Sequence, residues 1–240
     1  MISKVKNDLF DYKNRYIMQM QDGFKFSLDS LLLAEFVKIK KDDKKILDMC
    51  TGNAPVPLVL SLKIDAEIVG FEIQKEISEL ALESVKINGL EKNIRIINDD
   101  IKNINNYFES NTFDIITCNP PYFKTKEDGY RNKNDFLTLA RHEIAIDLET
   151  IFKIASKNLK DNKAFYLVHR VERLDDIIVL ARENKMNVKE LQFISTKKEK
   201  AANTILVKCV KNSKPGIKLR KEICVDNLDT YQHLFESEVF

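Results

Sequence analysis

No apolar run in this 240-residue chain approaches the ~20 residues a membrane-spanning helix needs, so no such span is expected. The opening residues, Met1-Ile2-Ser3-Lys4-Val5-Lys6-Asn7-Asp8, lack the apolar stretch of a signal peptide, and a cytoplasmic location is the default expectation. Cysteine is sparse and scattered. Cys50, Cys118, Cys209 and Cys224 form no C-x-x-C pair, so neither a zinc site nor a redox motif is indicated, and no metal is expected. Cys50, Cys118 and Cys209 stand in apolar, strand-like contexts that suit reduced core thiols, and the lack of a disulfide framework fits the cytoplasm. An excess of one charge is missing too. A net charge of +2 does not announce nucleic-acid binding, so the distribution of charge matters more. Lys197-Lys198-Glu199-Lys200 and residues 124–133 and 208–221 are locally basic, and each alone reads as a solvated face of a lysine-rich chain. No repeat, low-complexity tract or interdomain linker is visible.

What is present suffices for one well-filled core, since 44% of the residues are hydrophobic and 32% charged. Arg15-Tyr16-Ile17-Met18-Gln19-Met20 alternates like a strand, Gln21-Asp22-Gly23 signals a turn, and Phe24-Lys25-Phe26 is expected to return as the second strand of a hairpin. Ser27 or Asp29 then caps a helix filled by Leu31, Leu32, Ala34, Phe36 and Val37. From Lys45 onward, strands and helices alternate. Strands are expected at residues 46–49, 68–71, 94–97, 113–118 and 164–168, and helices at 56–62, 148–159 and 171–184. Ile77, Leu80, Ala81, Ser84, Val85 and Asn88 recur at helical spacing, with Gly89 as the stop. Residues 188–194 and 204–210 leave no room for a helix between them and should pair antiparallel. The pattern predicts an α/β fold. Its sheet is seven-stranded and mostly parallel with an antiparallel edge, its helices cover both faces, and a small hairpin-plus-helix extension precedes it. The expected division is 1–44 for that extension, 45–212 for the main domain and 213–240 for a tail. Residues 117–146 form a long polar stretch, of the kind that is usually functional.

Two segments carry chemistry. Asp48-Met49-Cys50-Thr51-Gly52-Asn53-Ala54 follows the first sheet strand, where open parallel sheets bind ligands. Glu72 lies about twenty residues on, where an acid can hold both hydroxyls of a ribose; it also suits a helix N-terminus. Asp99 and Asp100 follow the third strand; Asp100 is the candidate to accept from an adenine amino group, and either can cap a helix. The loop lacks the Lys-Ser/Thr of a phosphate cradle, and Asp48 would repel a pyrophosphate, so a cationic ligand is the better match. The second segment is Asn119-Pro120-Pro121-Tyr122, a rigid corner after the apolar run Phe113-Asp114-Ile115-Ile116-Thr117-Cys118. The Asn119 side-chain oxygen and the Pro120 carbonyl can accept hydrogen bonds, and Tyr122 offers a flat face to a planar ring.

With these residues assembled, the chain resembles the class I S-adenosylmethionine-dependent methyltransferases, a Rossmann-like fold. Asp48 to Ala54 looks like their glycine-rich motif, Glu72 like their ribose acid, Asp100 like their adenine acid, and Asn119 to Tyr122 like their amino-methylating motif. More narrowly it is similar to the bacterial tRNA adenine-N6 methyltransferases that modify the adenosine 3′-adjacent to the anticodon (A37) of a valine tRNA. That likeness rests on Phe26-Ser27-Leu28-Asp29-Ser30 with Leu32-Leu33-Ala34, Glu72-Ile73-Gln74, Asn119-Pro120-Pro121-Tyr122-Phe123, Ala140-Arg141-His142-Glu143 and Val168-His169-Arg170. Cys50 and Ala54 depart from it by occupying usual glycine positions.

The resemblance implies S-adenosylmethionine as cofactor, S-adenosylhomocysteine as product and tRNA as partner. It implies that Phe26, Asp48, Cys50, Thr51, Gly52, Asn53, Glu72, Ile73, Asp100, Ile101 and Asn119 surround the cofactor, and that Asn119, Pro120, Pro121 and Tyr122 form the catalytic corner. Tyr122 and Phe123 would stack on the base. Lys124, Lys126, Arg131 and Lys133, with Lys197, Lys198 and Lys200, are the candidates for phosphate contacts, and Arg141 and His142 for the rim of the site. Two other readings use the same residues. A protein-glutamine methyltransferase acting on release factors would normally carry a larger helical domain ahead of the cofactor loop than the roughly 45 residues present here. A methyltransferase-like RNA-binding protein would have lost the cofactor.

Overall fold

The computed structural model describes residues 4–10, 12, 14–21, 27–121 and 146–226. Its first element is a hairpin with an unforeseen partner. Tyr16–Met20 (β2) pairs antiparallel with the preceding Lys4–Asp8 (β1), from Lys4↔Met20 to Asp8↔Tyr16. The expected partner, residues 24–26, lies outside the described residues. Sequence pattern missed β1 because its residues, Lys-Val-Lys-Asn-Asp, are mostly polar and exposed, with Val5 the one apolar position. The helix α1 (Leu28–Phe36) follows, with Ser27 at its N-cap, and buries Leu31, Leu32, Leu33, Ala34 and Phe36.

The sheet then begins with Lys45–Asp48 (β3). Pro55–Lys63 (α2) opens on Pro55, a residue whose fixed φ and missing N–H suit the first helical turn. Glu67–Phe71 (β4), Lys75–Ile87 (α3) and Ile94–Ile97 (β5) continue the alternation. The end of α3 is a Schellman motif. Gly89 stands at φ +67°, its N–H donates to Lys86 O at 3.0 Å, and the Leu90 N–H reaches Val85 O at 3.1 Å. A 3-10 turn (Ile101–Asn106) leads to Phe113–Cys118 (β6), all of whose residues are buried, as a central parallel strand requires.

Leu148–Asn158 (α4) passes directly into Leu159–Arg170 (β7). This strand starts earlier than the expected 164–168; its polar first half hid it. The expected helix at 171–184 opens as a 3-10 turn and becomes helical at Leu174–Glu183 (α5). Met186–Ser195 (β8) and Thr204–Lys211 (β9) pair antiparallel, as their spacing predicted. The sheet order is β8-β9-β7-β6-β3-β4-β5, with every strand but β9 running the same way. Part of the tail extends this sheet to nine strands. Lys218–Leu219 (β10) and Ile223–Cys224 (β11) both pair parallel with β8.

Alternate strand residues feed two apolar layers. Leu47, Ile116, Phe165 and Leu167 pack with α4 and α5, whereas Ile46, Ile115, Tyr166 and Val168 pack with α1 and α2. Each large apolar side chain buried this way stabilises the fold by about 1.5–3 kcal/mol relative to exposure. Among the described residues, no helix is long and apolar enough to cross a membrane, and no cluster of three or more His, Cys, Asp or Glu could hold a metal.

One topological feature places the site. From β3 the chain builds outward through β4 and β5, then returns to place β6 on the other side of β3. The connections leave β3 and β6 in opposite directions, which opens a crevice at their carboxyl ends.

Candidate active site

Three bonds tie the loop after β3 to its neighbours. The Met49 N–H donates to Thr117 O at 2.9 Å, the Thr51 N–H donates to Phe71 O at 2.9 Å, and the Thr117 hydroxyl donates to Asp48 Oδ1 at 2.7 Å. Gly52 and Ala54 take the left-handed conformation, at φ +56° and +73°. Glycine does so freely, whereas the Ala54 Cβ makes that turn cost about 1–2 kcal/mol. Glu72, at the end of β4, locks the loop from the far side. Its Oε2 accepts from the Gly52 N–H at 3.0 Å, and its Oε1 accepts from the Gln74 N–H at 2.9 Å. Gly70 makes the approach possible, because a Cβ there would lie 2.7 Å from Thr51 Oγ1.

The loop is an acidic, partly unsatisfied surface. Asp48 is 1% exposed, and burial pushes its carboxyl up to about 6 against the pull of the Thr117 hydroxyl. Burial also raises the Glu72 carboxyl, opposed by the Gln74 and Gly52 N–H groups. Asp48 Oδ2, Thr51 Oγ1 and Asn53 Oδ1 are buried without a hydrogen-bond partner. A buried carboxylate in this state calls for a ligand that donates hydrogen bonds or carries positive charge.

Asn53 also holds the hairpin. Its Nδ2 donates to Met18 O at 2.7 Å, while the Met18 N–H donates to Ser84 Oγ on α3 at 2.9 Å. Asn88 Oδ1 accepts from Tyr16 N at 2.9 Å, and its Nδ2 donates to Tyr16 O at 2.7 Å. Side chains of α3 and the loop therefore satisfy the outer edge of β2 in place of another strand.

Of the two acids after β5, Asp99 is engaged internally. It accepts from Asp100 N, Asn103 Nδ2 and Tyr107 OH at 2.7–2.9 Å. Asp100 caps the 3-10 turn by accepting from Lys102 N at 2.9 Å. Asn98 Nδ2 donates to Glu72 O at 2.8 Å and so ties this segment to the end of β4. Ile73 is 40% exposed beside Glu72, and Ile101 is buried.

The corner after β6 begins at Asn119, half-buried, with Pro120 buried and Pro121 exposed. Its Nδ2 donates to Ser30 Oγ on α1 at 2.8 Å, with Ser27 Oγ at 3.4 Å. Cys118 Sγ lies 3.9 Å from Cys50 Sγ, so corner and loop are in contact. His169, at the end of β7, is 8% exposed; burial, then the Arg173 charge, lowers its imidazole to about 4, and its Nδ1 accepts from Arg170 N. Lys197, Lys198 and Lys200 are exposed in the turn between β8 and β9. The Arg170↔Thr204 pairing brings that turn to the same end of the sheet as the corner. Phe26, Tyr122, Phe123, Lys124, Lys126, Arg131, Lys133, Arg141 and His142 lie outside the described residues.

Sequence reasoning missed Gly70, Ser84 and Asn88 as supports. It used Ser30 only as a mark of resemblance, and Ser27 as that and as a candidate helix cap. A glycine inside a strand is itself a signal of close approach, so Gly70 was open to discovery.

Comparison with known proteins agrees with this architecture. A tRNA1(Val) (adenine(37)-N6)-methyltransferase from Tolumonas auensis is 27% identical over 225 residues, covering 92% of this chain and 90% of that protein. A predicted O-methyltransferase, Atu636 from Agrobacterium tumefaciens, superposes with a TM-score of 0.64 at 18% identity, over 82% of this chain and 87% of that one. M. jannaschii TYW2, solved in complex with AdoMet, gives 0.57 at 12% identity over 88% of each chain. The family model described as "Methyltransferase domain" matches residues 40–227, and the chain belongs to that family.

Proposed function

We propose that this protein transfers a methyl group from S-adenosylmethionine to N6 of adenosine 37 in a valine tRNA. The observation that carries the reading is the junction of corner and loop: Asn119 follows directly from β6, and Thr117 in the same strand is bonded to the buried Asp48. The activity in the relative's name, with a similarity that spans most of both chains, supports the substrate.

The residues present fit the cofactor. The unpartnered Asp48 Oδ2 and Asn53 Oδ1 are acceptors suited to an ammonium, and Glu72 keeps a lone pair on each oxygen for ribose hydroxyls. Asp100 would accept from the adenine amino group, between Ile73 and Ile101. When bound, S-adenosylmethionine supplies an electrophilic methyl on a positive sulfonium.

The protein's own contribution is positioning. An adenine amino nitrogen is a poor nucleophile because its lone pair is delocalised into the ring. Asn119 Oδ1 and the Pro120 carbonyl would each accept one of its hydrogens, turning the lone pair out of the ring plane. Both are dipoles aimed at charge that develops as the nitrogen reacts. No strong base is required, and His169, held neutral, is not needed as one. Tyr122 and Phe123 would stack on the base, and the basic residues of 124–133 and 197–200 would hold phosphates. We assign 45–212 as the catalytic unit, with 1–44 as a hairpin and helix packed on it and 213–240 as a tail, acting in the cytoplasm where tRNA resides.

The test is incubation with labelled cofactor and unmodified tRNA, followed by nucleoside analysis. N6-methyladenosine at position 37 is expected. N2-methylguanosine, or label on a glutamine of a release factor instead of on tRNA, would overturn the reading.

A further inference from the structure

Asn53 has one half of its amide satisfied and the other half bare. It is 0% exposed in the loop after β3, and its Nδ2 donates to Met18 O on the hairpin at 2.7 Å. A backbone carbonyl only accepts, so this contact admits the nitrogen of the amide and not its oxygen. The far side of Met18 is set as firmly. The Ser84 hydroxyl donates its proton to Leu80 O at 2.8 Å, which leaves its lone pairs to accept the Met18 N–H at 2.9 Å. Asn88 holds Tyr16 by both its N–H and its carbonyl. Polarity therefore runs one way from α3 through the hairpin to Asn53, whose Oδ1 is left buried without a hydrogen-bond partner.

A loop that had only to grip the hairpin would need a donor alone. Asparagine brings an acceptor as well, and burying a bare carbonyl is unfavourable unless a donor comes to meet it. The same loop holds a second unpartnered acceptor, Asp48 Oδ2. An ammonium group has three N–H donors and no acceptor, so these two oxygens suit it and an amide nitrogen would not. We infer that the hairpin is part of the cofactor site: the Met18 carbonyl holds the Asn53 amide with its oxygen towards the cofactor's ammonium. Met18 acts through Asn53, as a positioning residue. Hairpin docking and cofactor binding then strengthen each other by the same factor, because coupling between two sites is reciprocal. The inference rests on the cofactor reading proposed above.

The Met18 N–H is bonded to Ser84, so its hydrogen exchange reports docking of the hairpin. Exchange is followed residue by residue by NMR, with and without S-adenosylhomocysteine, in wild type and Asn53→Ala. Melting curves are recorded in parallel. At about one hundred times its dissociation constant, the ligand should slow Met18 exchange in wild type about tenfold. A slowing below about threefold overturns the inference. So does exchange at Met18 no faster than at Ile116 in the central strand β6, because the hairpin would then open only with the whole fold. Asn53→Ala should keep a melting shift with the ligand but lose the slowing at Met18. Slowing that persists in a variant that still binds overturns the route through Asn53; if the variant no longer binds, the wild-type result decides alone. Failure of wild type to bind S-adenosylhomocysteine at all refutes the cofactor reading instead and takes the inference with it.

Discussion

Gly70 is the position where one methyl group should be felt furthest. A Cβ there would lie 2.7 Å from Thr51 Oγ1, 2.9 Å from Thr51 Cγ2 and 3.0 Å from Ile96 Cδ1. Carbon contacts settle near 3.5–4.0 Å, so each neighbour must retreat by about 0.5–1 Å. Gly70 itself is fixed, being paired to Asp48 on one side and Ile96 on the other. The end of the Ile96 side chain can swing away. Thr51 cannot, because it is 2% exposed and β-branched, so the loop has to move with it. That motion stretches the Thr51 N–H bond to Phe71 O and the Gly52 N–H bond to Glu72.

Overpacking of this kind costs about 1–3 kcal/mol, and weakening an N–H bond to a carboxylate adds on the order of 1 kcal/mol. Replacing a strand glycine recovers about 0.5–1 kcal/mol. The net expectation for Gly70→Ala is a loss of about 2 kcal/mol, or a Tm about 4–8 °C lower for a domain of this size. Calorimetry of Gly70→Ala, Thr51→Ala and the double variant forms a cycle. The double variant should melt above Gly70→Ala, since the clashing Oγ1 and Cγ2 are gone. A Gly70→Ala protein melting within a degree of wild type, or strict additivity in the cycle, would refute the reasoning.

Asp48→Asn should stabilise the cofactor-free protein. Burial holds the Asp48 carboxyl at about 6 against a reference of 3.8, so the folded state loses stability as pH rises through that window. About two units correspond to roughly 3 kcal/mol, recovered by the amide at pH 7.5 and dwindling towards pH 4; Tm against pH for both proteins reads it directly. Asn88→Ala removes both bonds to Tyr16 and should cost about 1–3 kcal/mol, with faster proteolysis within residues 1–21; an unchanged cleavage rate would mean that the hairpin is anchored elsewhere. Burial raises the thiols of Cys118 and Cys209, so iodoacetamide at pH 8 should modify the half-buried Cys224 and Cys50 first, as peptide mass spectrometry would report.

Central strands were legible because burial on both faces forces a continuous apolar run, as in Ile115-Ile116-Thr117-Cys118. The end of α3 was legible because only a residue that tolerates positive φ fits at Gly89. Strands that exist through a partner were not. β1 is defined by β2, whose other edge is satisfied by side chains of α3 and the loop. β10 and β11, two residues each, are too short to show a period. In the site, the acids could be read from their spacing after each strand. The bond from Asn119 to Ser30 spans 89 residues and follows only from the packing of α1 beside β6.

The acids explain one another once the strand order is known. Asp48, Glu72 and Asp100 end β3, end β4 and follow β5, and these are adjacent strands. Negative charge therefore accumulates along one rim of the sheet. Glu72 is partly compensated by the Gly52 and Gln74 N–H groups, whereas Asp48 has the Thr117 hydroxyl, the Thr51 hydroxyl nearby, and the field of Glu72, which raises it further. A phosphate would find repulsion along this rim. A ligand with a cationic head, ribose hydroxyls and an amino-bearing ring would find an acceptor at each proposed step, and its positive end would meet the acid whose ionisation burial resists. That acid is the one joined through Thr117 to the strand that carries Asn119. That bond thus ties the loop proposed to hold the cofactor to the strand that leads into the proposed catalytic corner.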